Sequence, residues 1–493
     1  MSLSVITGIP KDGSRPEPLD DLSREVPLVV DLDGTLLNSD LLVESMSALV
    51  ASSPQMAFRT SWRIRDGKAA LKASLADRVD LELNSLPWNE AVVAFLLQQR
   101  ARGRRLYLAS AADRRWVQAV ADKFRCFDGI FASDGIRNLA GRAKAAALRE
   151  AFGERGFDYL GNARVDIPVW QAAGRPLVAN ASASTMRRVR GLWPDAEVIE
   201  TASPDLRQYL RAIRPHHWLK NLLVVVPALT AHALTADVLL ACLFTFVSFS
   251  LCASSVYLLN DLIDLERDRN HPTKRFRPFA SGRIPILHGF VMTPALLALA
   301  ALTGLAVGVK FLLVLAVYYA LTLAYSLYLK RQMMLDTVTL ACLYGMRLVG
   351  GSVAAGVALS AWLGAFSIFF FMSLALVKRT TELVGRISKA QGDPGGRGYK
   401  LSDLPIVEML SAASGMTAVL VYALYVNSSA VQVLYNHPTR LSLVCVVLIY
   451  WLSRVVILAH RGEMHDDPIV FAATDRTSQI CGVVTAVIVA ASL

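Results

Sequence analysis

The second half of this chain is a succession of apolar runs, each near the length of a bilayer crossing, and nothing else in the 493 residues narrows the possible folds as far. Crossing the hydrocarbon core takes about 20 consecutive, mostly apolar residues in a helix. From Trp218 onward nine segments qualify: 218–235, 237–259, 286–309, 311–330, 334–357, 359–378, 407–428, 440–460 and 477–493. Charge thins out in step with them. Residues 1–213 hold 29 Lys/Arg and 26 Asp/Glu, an ordinary soluble composition, whereas the longer stretch 214–493 holds only 22 and 14. The expected architecture is an α/β domain over 26–205 followed by an all-α membrane domain of about nine transmembrane helices over 206–493, with residues 1–25 as a disordered tail.

The net charge of +11 arises mostly in the membrane half, and it concentrates in connections on one side. With the N-terminus inside, the connections after the even-numbered spans carry 16 basic residues, from Arg267 to Arg476, and the opposite ones only Lys310 and Arg440. That asymmetry follows the positive-inside rule and places the N-terminus and the chemistry in the cytosol and the C-terminus outside. It is a topology signal and not a nucleic-acid footprint. The six cysteines form no CxxC pair, which argues against disulfides and zinc sites. The opening MSLSVITGIPKDGSRPEPLDD lacks a long apolar run, so no signal peptide is expected.

The sharpest local feature is NDLIDLERDRNHPTKRFRPFASGR, residues 260–283, directly after the second span. Asp261, Asp264 and Asp268 fall at i, i+3 and i+7, on one face of a continuing helix. Asn260 adds a carbonyl oxygen one position earlier. Clustered carboxylates at a membrane surface call for a cation, and hard oxygen ligands suit Mg²⁺ shared with substrate phosphates. Lys274, Arg275 and Arg277 follow as a phosphate-binding set. A transporter or lipid-binding protein has no use for that combination.

The motif resembles NDxxDxxxD of the UbiA superfamily of intramembrane prenyltransferases, which Asn260, Asp261, Asp264 and Asp268 match without a gap over a resemblance of about 280 residues. The resemblance implies that these acids bind Mg²⁺ and a diphosphate whose departure leaves an electrophilic carbon. It places a second polar region in YSLYLKRQMMLD, with Tyr325, Lys330, Arg331 and Asp336 as candidates and no second perfect acidic motif. RPHHWLKN, HPTKRFRP, YSLYLK and LDTVTLACLYGMRLVGG are similar to decaprenyl-phosphate phosphoribosyltransferases. That branch implies phosphoribosyl pyrophosphate as donor and a polyprenyl phosphate lipid as acceptor. The cations Lys220, Lys274, Arg275, Arg277, Lys330, Arg347, Lys378, Arg379 and Arg397 suit several phosphates. Arg347 lies about 13 residues into a span and needs an anion or polar cavity, or else a structural acid such as Asp336. Asp466, Asp467 and Asp475 either close the site or form a solvated loop. The alternative within the superfamily is an aromatic prenyltransferase using a polyprenyl diphosphate donor.

Ahead of the membrane half, PLVVDLDGT, LYLASAAD, FDYLGNARVD and RPLVAN read as parallel strands ending in polar residues, where open α/β sheets build sites. DLDGT resembles the nucleophile loop of haloacid dehalogenase (HAD) phosphatases over roughly 26–200. The resemblance implies Asp31 as nucleophile, Asp33 as acid/base, Ser110 and Lys144 as second- and third-motif residues, and Mg²⁺ held by Asp31, Asp33 and Asp166, with a helical cap near 41–100. The fourth motif departs from the family: Asn162 stands where an acid is usual. The expected role is removal of the 5-phosphate from the transferase product; an idle, regulatory domain is the alternative.

Overall fold

The computed structural model describes residues 26–199, 205–394, 397–464 and 467–493. The proposed tail, 1–25, and Asp466 lie outside the described residues. The chain divides into two compact units. One takes the residues up to Gln208 together with Asp261–Leu287; the other takes Tyr209–Asn260 and His288–Leu493.

The first unit is built on six parallel strands: β1 (Leu28–Asp31), β2 (Leu106–Asp113), β3 (Gly129–Ser133), β4 (Asp158–Gly161), β5 (Pro176–Ala179) and β6 (Glu197–Ile199). Their order is β3-β2-β1-β4-β5-β6, with Val30 between Leu108 and Leu160 in register. The run of apolar residues in β1 is what a central parallel strand needs, since helices cover both faces. Successive side chains divide between them: Leu28 and Val30 enter one core and Val29 the other. Four of these strands are the expected ones. β3 opens on Gly129 and is mostly half-buried, and β6 is a three-residue edge, so neither carries a strong apolar signal. Between β1 and β2 lie the helices Leu41–Ser52, Pro54–Ser61, Lys68–Ala76 and Glu90–Ala101. Asp40 and Asn89 cap the first and last of these through their side chains.

In the second unit seven helices are long and apolar enough to cross a membrane among the described residues, against the nine expected. They are Ala236–Ile263, Ile286–Leu305, Val309–Leu327, Leu335–Ala355, Ala361–Ser388, Leu401–Val426 and Pro438–His460. The first expected span is instead a 3₁₀ stretch, Pro215–Val225, running into a short helix, Val226–Thr230. Pro215 opens the 3₁₀ stretch and Pro227 falls in the first turn of the short helix, positions where a residue without an N–H is tolerated and a longer helix cannot run through unbroken. The last, Arg476–Ala490, has 15 residues and reaches only about 22 Å. Helix Ala361–Ser388 runs ten residues past its expected end and carries Lys378, Arg379 and Glu382 on its extension or at its base.

Candidate functional site

In the first unit the polar ends of β1, β2 and β4 meet where the strand order reverses, the position at which open α/β sheets bind ligands. Lys144 Nζ donates to Asp31 Oδ1 at 2.5 Å and to Tyr159 Oη at 3.0 Å. Thr35 Oγ1 donates to Asp31 Oδ2 at 3.3 Å. Asp33 accepts from the Leu41 amide at 2.9 Å and from Ser110 Oγ at 2.9 Å. Burial pushes Asp31 up to about 6, with the Lys144 ammonium partly offsetting it. Asp33 is pushed up to about 7 by burial and by the carboxylates of Asp40 and Asp31. Burial opposes the charge on Lys144, but Asp31 and Asp166 outweigh it and hold the ammonium above its ordinary range. A nucleophilic carboxylate fixed by a lysine and a neighbour poised to hold a proton at neutral pH is an arrangement suited to phosphoester cleavage.

Asp166 is turned to other work. Its Oδ2 accepts from the Asn162 and Ala163 amides at 3.2 and 3.0 Å, and its Oδ1 from Tyr159 Oη at 3.0 Å. Among the described residues no three His, Cys, Asp or Glu side chains gather closely enough to hold a metal. The expected Mg²⁺ set Asp31, Asp33 and Asp166 is therefore not preassembled. Asp31 and Asp166 nevertheless both approach Lys144 Nζ, at 2.5 and 4.0 Å, so two buried carboxylates face one cationic point, a donor chemistry that fits a hard divalent ion, with Asn162 standing in the fourth motif where an acid is usual.

The acidic motif is divided between the units: Asn260 closes the second, and Asp261 onward belongs to the first. Asn260 Nδ2 donates to Ser326 Oγ at 3.0 Å. Arg277 Nη1 lies 3.1 Å from Asp261 Oδ1 and 2.5 Å from Asp268 Oδ2, with both acids buried. Burial raises the Asp268 carboxyl despite the guanidinium beside it. Asp264 faces Arg267 at 3.8 Å instead, so the three carboxylates do not converge as the spacing implied. Helical spacing fails here because the helix that ends at Ile263 gives way to a separate turn, Leu265–Arg269. Even so, two buried acids deliver oxygens to one cationic point, and that donor chemistry fits a hard divalent ion with its other positions left to phosphate oxygens. Lys274 and Arg275 are exposed on the loop, Arg275 packing over the ring of Phe276 at 4.8 Å.

Within the second unit Asp467 Oδ2 takes Lys220 Nζ at 2.6 Å and Lys378 Nζ at 2.8 Å. Burial works against its charge, but the two ammonium groups hold its carboxyl well below the usual range. Among the described residues Arg347 meets no acid: it donates to Asn221 Oδ1 at 2.7 Å, Tyr318 Oη at 3.0 Å and the Leu343 carbonyl. Neutral oxygens of Asn221, Tyr318 and Leu343, and not a pair with Asp336, hold it. Asp336 goes to Arg379 Nε at 2.8 Å and to Arg397 at 3.9 Å. Arg397 also reaches Tyr325 Oη at 3.4 Å, and Arg379 pairs with Glu382. Lys330 is half-buried in the turn Leu329–Arg331. Asn221 ends the string RPHHWLKN, whereas Tyr318, a lone polar residue in an apolar run, and Glu382, beyond the expected end of its span, carry no motif.

Residues 222–474 match the model of the UbiA prenyltransferase family. Protein y4nM of Sinorhizobium fredii (strain NBRC 101917 / NGR234) is 38% identical over 474 residues, 95% of this chain and 91% of that protein. The decaprenyl-phosphate phosphoribosyltransferase of Mycolicibacterium smegmatis is 38% identical over 179 residues, 35% of this chain and 56% of that enzyme. The chain thus spans just over half of that relative's length. Among solved structures, a UbiA homolog from Archaeoglobus fulgidus bound to GPP and Mg²⁺ covers 57% of this chain and 97% of its own, at 16% identity and TM-score 0.44. Phosphoserine phosphatase in its apo form covers 35% of this chain and 100% of its own, at 14% identity and TM-score 0.26.

Proposed function

Because the chain belongs to the UbiA prenyltransferase family, we propose that it transfers a 5-phosphoribosyl group from phosphoribosyl pyrophosphate to a polyprenyl phosphate, and that its α/β unit then removes the 5-phosphate. The family and the apolar helices make it an integral membrane protein. The observation that carries the transferase reading is the convergence of buried Asp261 and Asp268 on one cationic point. The likeness to phosphoribosyltransferases supports the choice of donor.

In this reading Asp261 and Asp268 hold Mg²⁺, which when bound would neutralise charge on the departing pyrophosphate, and Asp264 joins them by swinging away from Arg267. A phosphate oxygen of the lipid attacks ribose C1 as the bond from C1 to the pyrophosphate oxygen breaks, and pyrophosphate leaves with the electron pair. The acceptor is already anionic, so no strong general base is needed. Arg277, Lys274 and Arg275 bind donor phosphate; Lys220, Lys378, Arg379, Arg347, Lys330, Tyr325 and Asn260 are assigned to binding and orienting substrate. Positioning and electrostatics supply most of the rate. In the α/β unit, Asp31 Oδ attacks the 5-phosphate phosphorus, and the proton held by Asp33 passes to the departing ribose oxygen. Water then attacks the aspartyl phosphate, gives its proton back to Asp33 and releases phosphate.

The test is a product assay with purified protein, Mg²⁺, phosphoribosyl pyrophosphate and a polyprenyl phosphate, read by mass spectrometry. Wild type is expected to yield lipid-linked ribose, and Asp31→Asn to accumulate the lipid-linked 5-phosphate. The same 5-phosphate from both would overturn the phosphatase assignment alone. No lipid-linked sugar from either would overturn the donor and direct the assay to polyprenyl diphosphates with aromatic acceptors.

A further inference from the structure

The loop that carries the acidic motif is tied at several points to the stretch between β1 and β2 in its own unit. Arg269, one residue after Asp268, makes a two-pronged ion pair with Glu44: Nη1 donates to Oε2 at 2.9 Å and Nη2 to Oε1 at 2.7 Å. The side chains are only 5% and 3% exposed. The remaining donor, Nε, goes to the Ala280 carbonyl at 3.1 Å. One guanidinium therefore fastens helix Leu41–Ser52, the motif and the far end of the loop together. Asn270 Nδ2 donates to Glu82 Oε2 at 2.9 Å, and Ser47 Oγ to the Leu262 carbonyl at 3.5 Å. Gly282, at φ 70°, closes the loop where a Cβ would lie 2.9 Å from Pro87 Cβ and 3.0 Å from Asn38 Cβ.

A buried ion pair adds little net stability, because desolvation offsets its attraction. Losing one partner is another matter, since the survivor stays charged and alone in the interior. With Glu44 neutral, Arg269 must leave its place. Asp268 precedes it in a single five-residue turn, Leu265–Arg269, and has to move with it. The Arg277 bridge that joins Asp268 to Asp261 then opens.

We propose that Glu44 is a positioning residue for the transfer reaction: through Arg269 it holds the carboxylates of Asp261 and Asp268 in register for the cation and the diphosphate. The helical insert thereby serves the transferase whether or not the α/β site hydrolyses phosphate. The proposal rests on the transferase reading above.

Full-length protein in lipid nanodiscs, as wild type, Glu44→Gln, Glu44→Asp and Gly282→Ala, provides the test. Amide hydrogen exchange is followed over 265–283, and transfer is measured against Mg²⁺ concentration. Glu44→Gln should exchange this segment faster while β1, β2 and β4 keep wild-type protection. It should also raise the Mg²⁺ concentration for half-maximal transfer about tenfold, as loss of a partner behind a metal ligand does. Glu44→Asp, which keeps the charge, should fall between the two. Gly282→Ala displaces the loop from its other anchor with the ion pair intact, should shift both readouts the same way, and carries the test if Glu44→Gln does not fold. Unchanged exchange, or faster exchange with an unchanged Mg²⁺ requirement and turnover, overturns the proposal. A wild type that transfers nothing overturns the transferase reading and this proposal with it, an outcome distinct from an active wild type with indifferent variants.

Discussion

Asp33 holds a proton that an ordinary aspartate would have lost, pushed from 3.8 up to about 7, and Asp31 follows it to about 6. An acid whose folded pKa is raised binds its proton more tightly in the native state. Its contribution to stability is complete below the unfolded value and is lost as pH rises through the folded one. With Mg²⁺ chelated, the α/β unit should therefore be more resistant to heat at pH 5.5 than at pH 8, and Asp33→Asn should flatten that difference. Hydrogen exchange over β1, β2 and β4 at the two pH values checks it; equal protection at both would contradict the burial assigned to these acids. At this scale the sequence was informative where chemistry sits in a short string. Asp31, Asp33, Ser110 and Lys144 each stand in such a string, and they do meet. It was silent where partners are remote: Glu44 and Arg269 are 225 positions apart, and Lys220 and Asp467 are 247. No local pattern marks either pair.

Helix Leu335–Ala355 packs Gly351 against other backbone. A Cβ on Gly351 would lie 2.0 Å from the carbonyl oxygen of Val224, in the 3₁₀ stretch that also supplies Asn221 to Arg347. Such close approach is how small residues let membrane segments associate. Gly351→Ala should cost about 1–3 kcal/mol through overpacking, seen as a lower unfolding temperature of the detergent-solubilised protein; an unchanged unfolding temperature would show that the stretch yields. That element also explains one of the two expected spans that are not among the seven long helices; the short Arg476–Ala490 is the other. Hydropathy counts apolar residues and is blind to their rise. At about 2.0 Å per residue in 3₁₀ and 1.5 Å in α geometry, residues 215–230 reach roughly 30 Å, a hydrocarbon thickness, without a long α-helix. The seven long helices were legible because their runs stay mostly apolar over a full crossing, despite Pro294, Arg347 and Arg454 within them. Their ends were less so: Ala361–Ser388 continues past Lys378 because its polar residues find partners in one another and in Asp336.

For the molecule as a whole, the basic connections predict an orientation, with the sparsely charged side outside. Lys310 sits on the sparsely charged side and Lys389 on the rich one. With the six native cysteines replaced by serine, Lys310→Cys should react with a membrane-impermeant maleimide on intact cells, and Lys389→Cys only after permeabilisation. The opposite pattern would invert the topology. Composition alone separated an α/β domain from a membrane domain, because a charge density is a property of long stretches. It did not show that Asp261–Leu287 groups with the α/β unit, since that depends on a few contacts far apart in the chain. The grouping has a consequence for how such a protein can be inherited. Glu44 and Arg269 lie on either side of the junction near residue 208, so a genetic crossover there would part an acid from the base it neutralises.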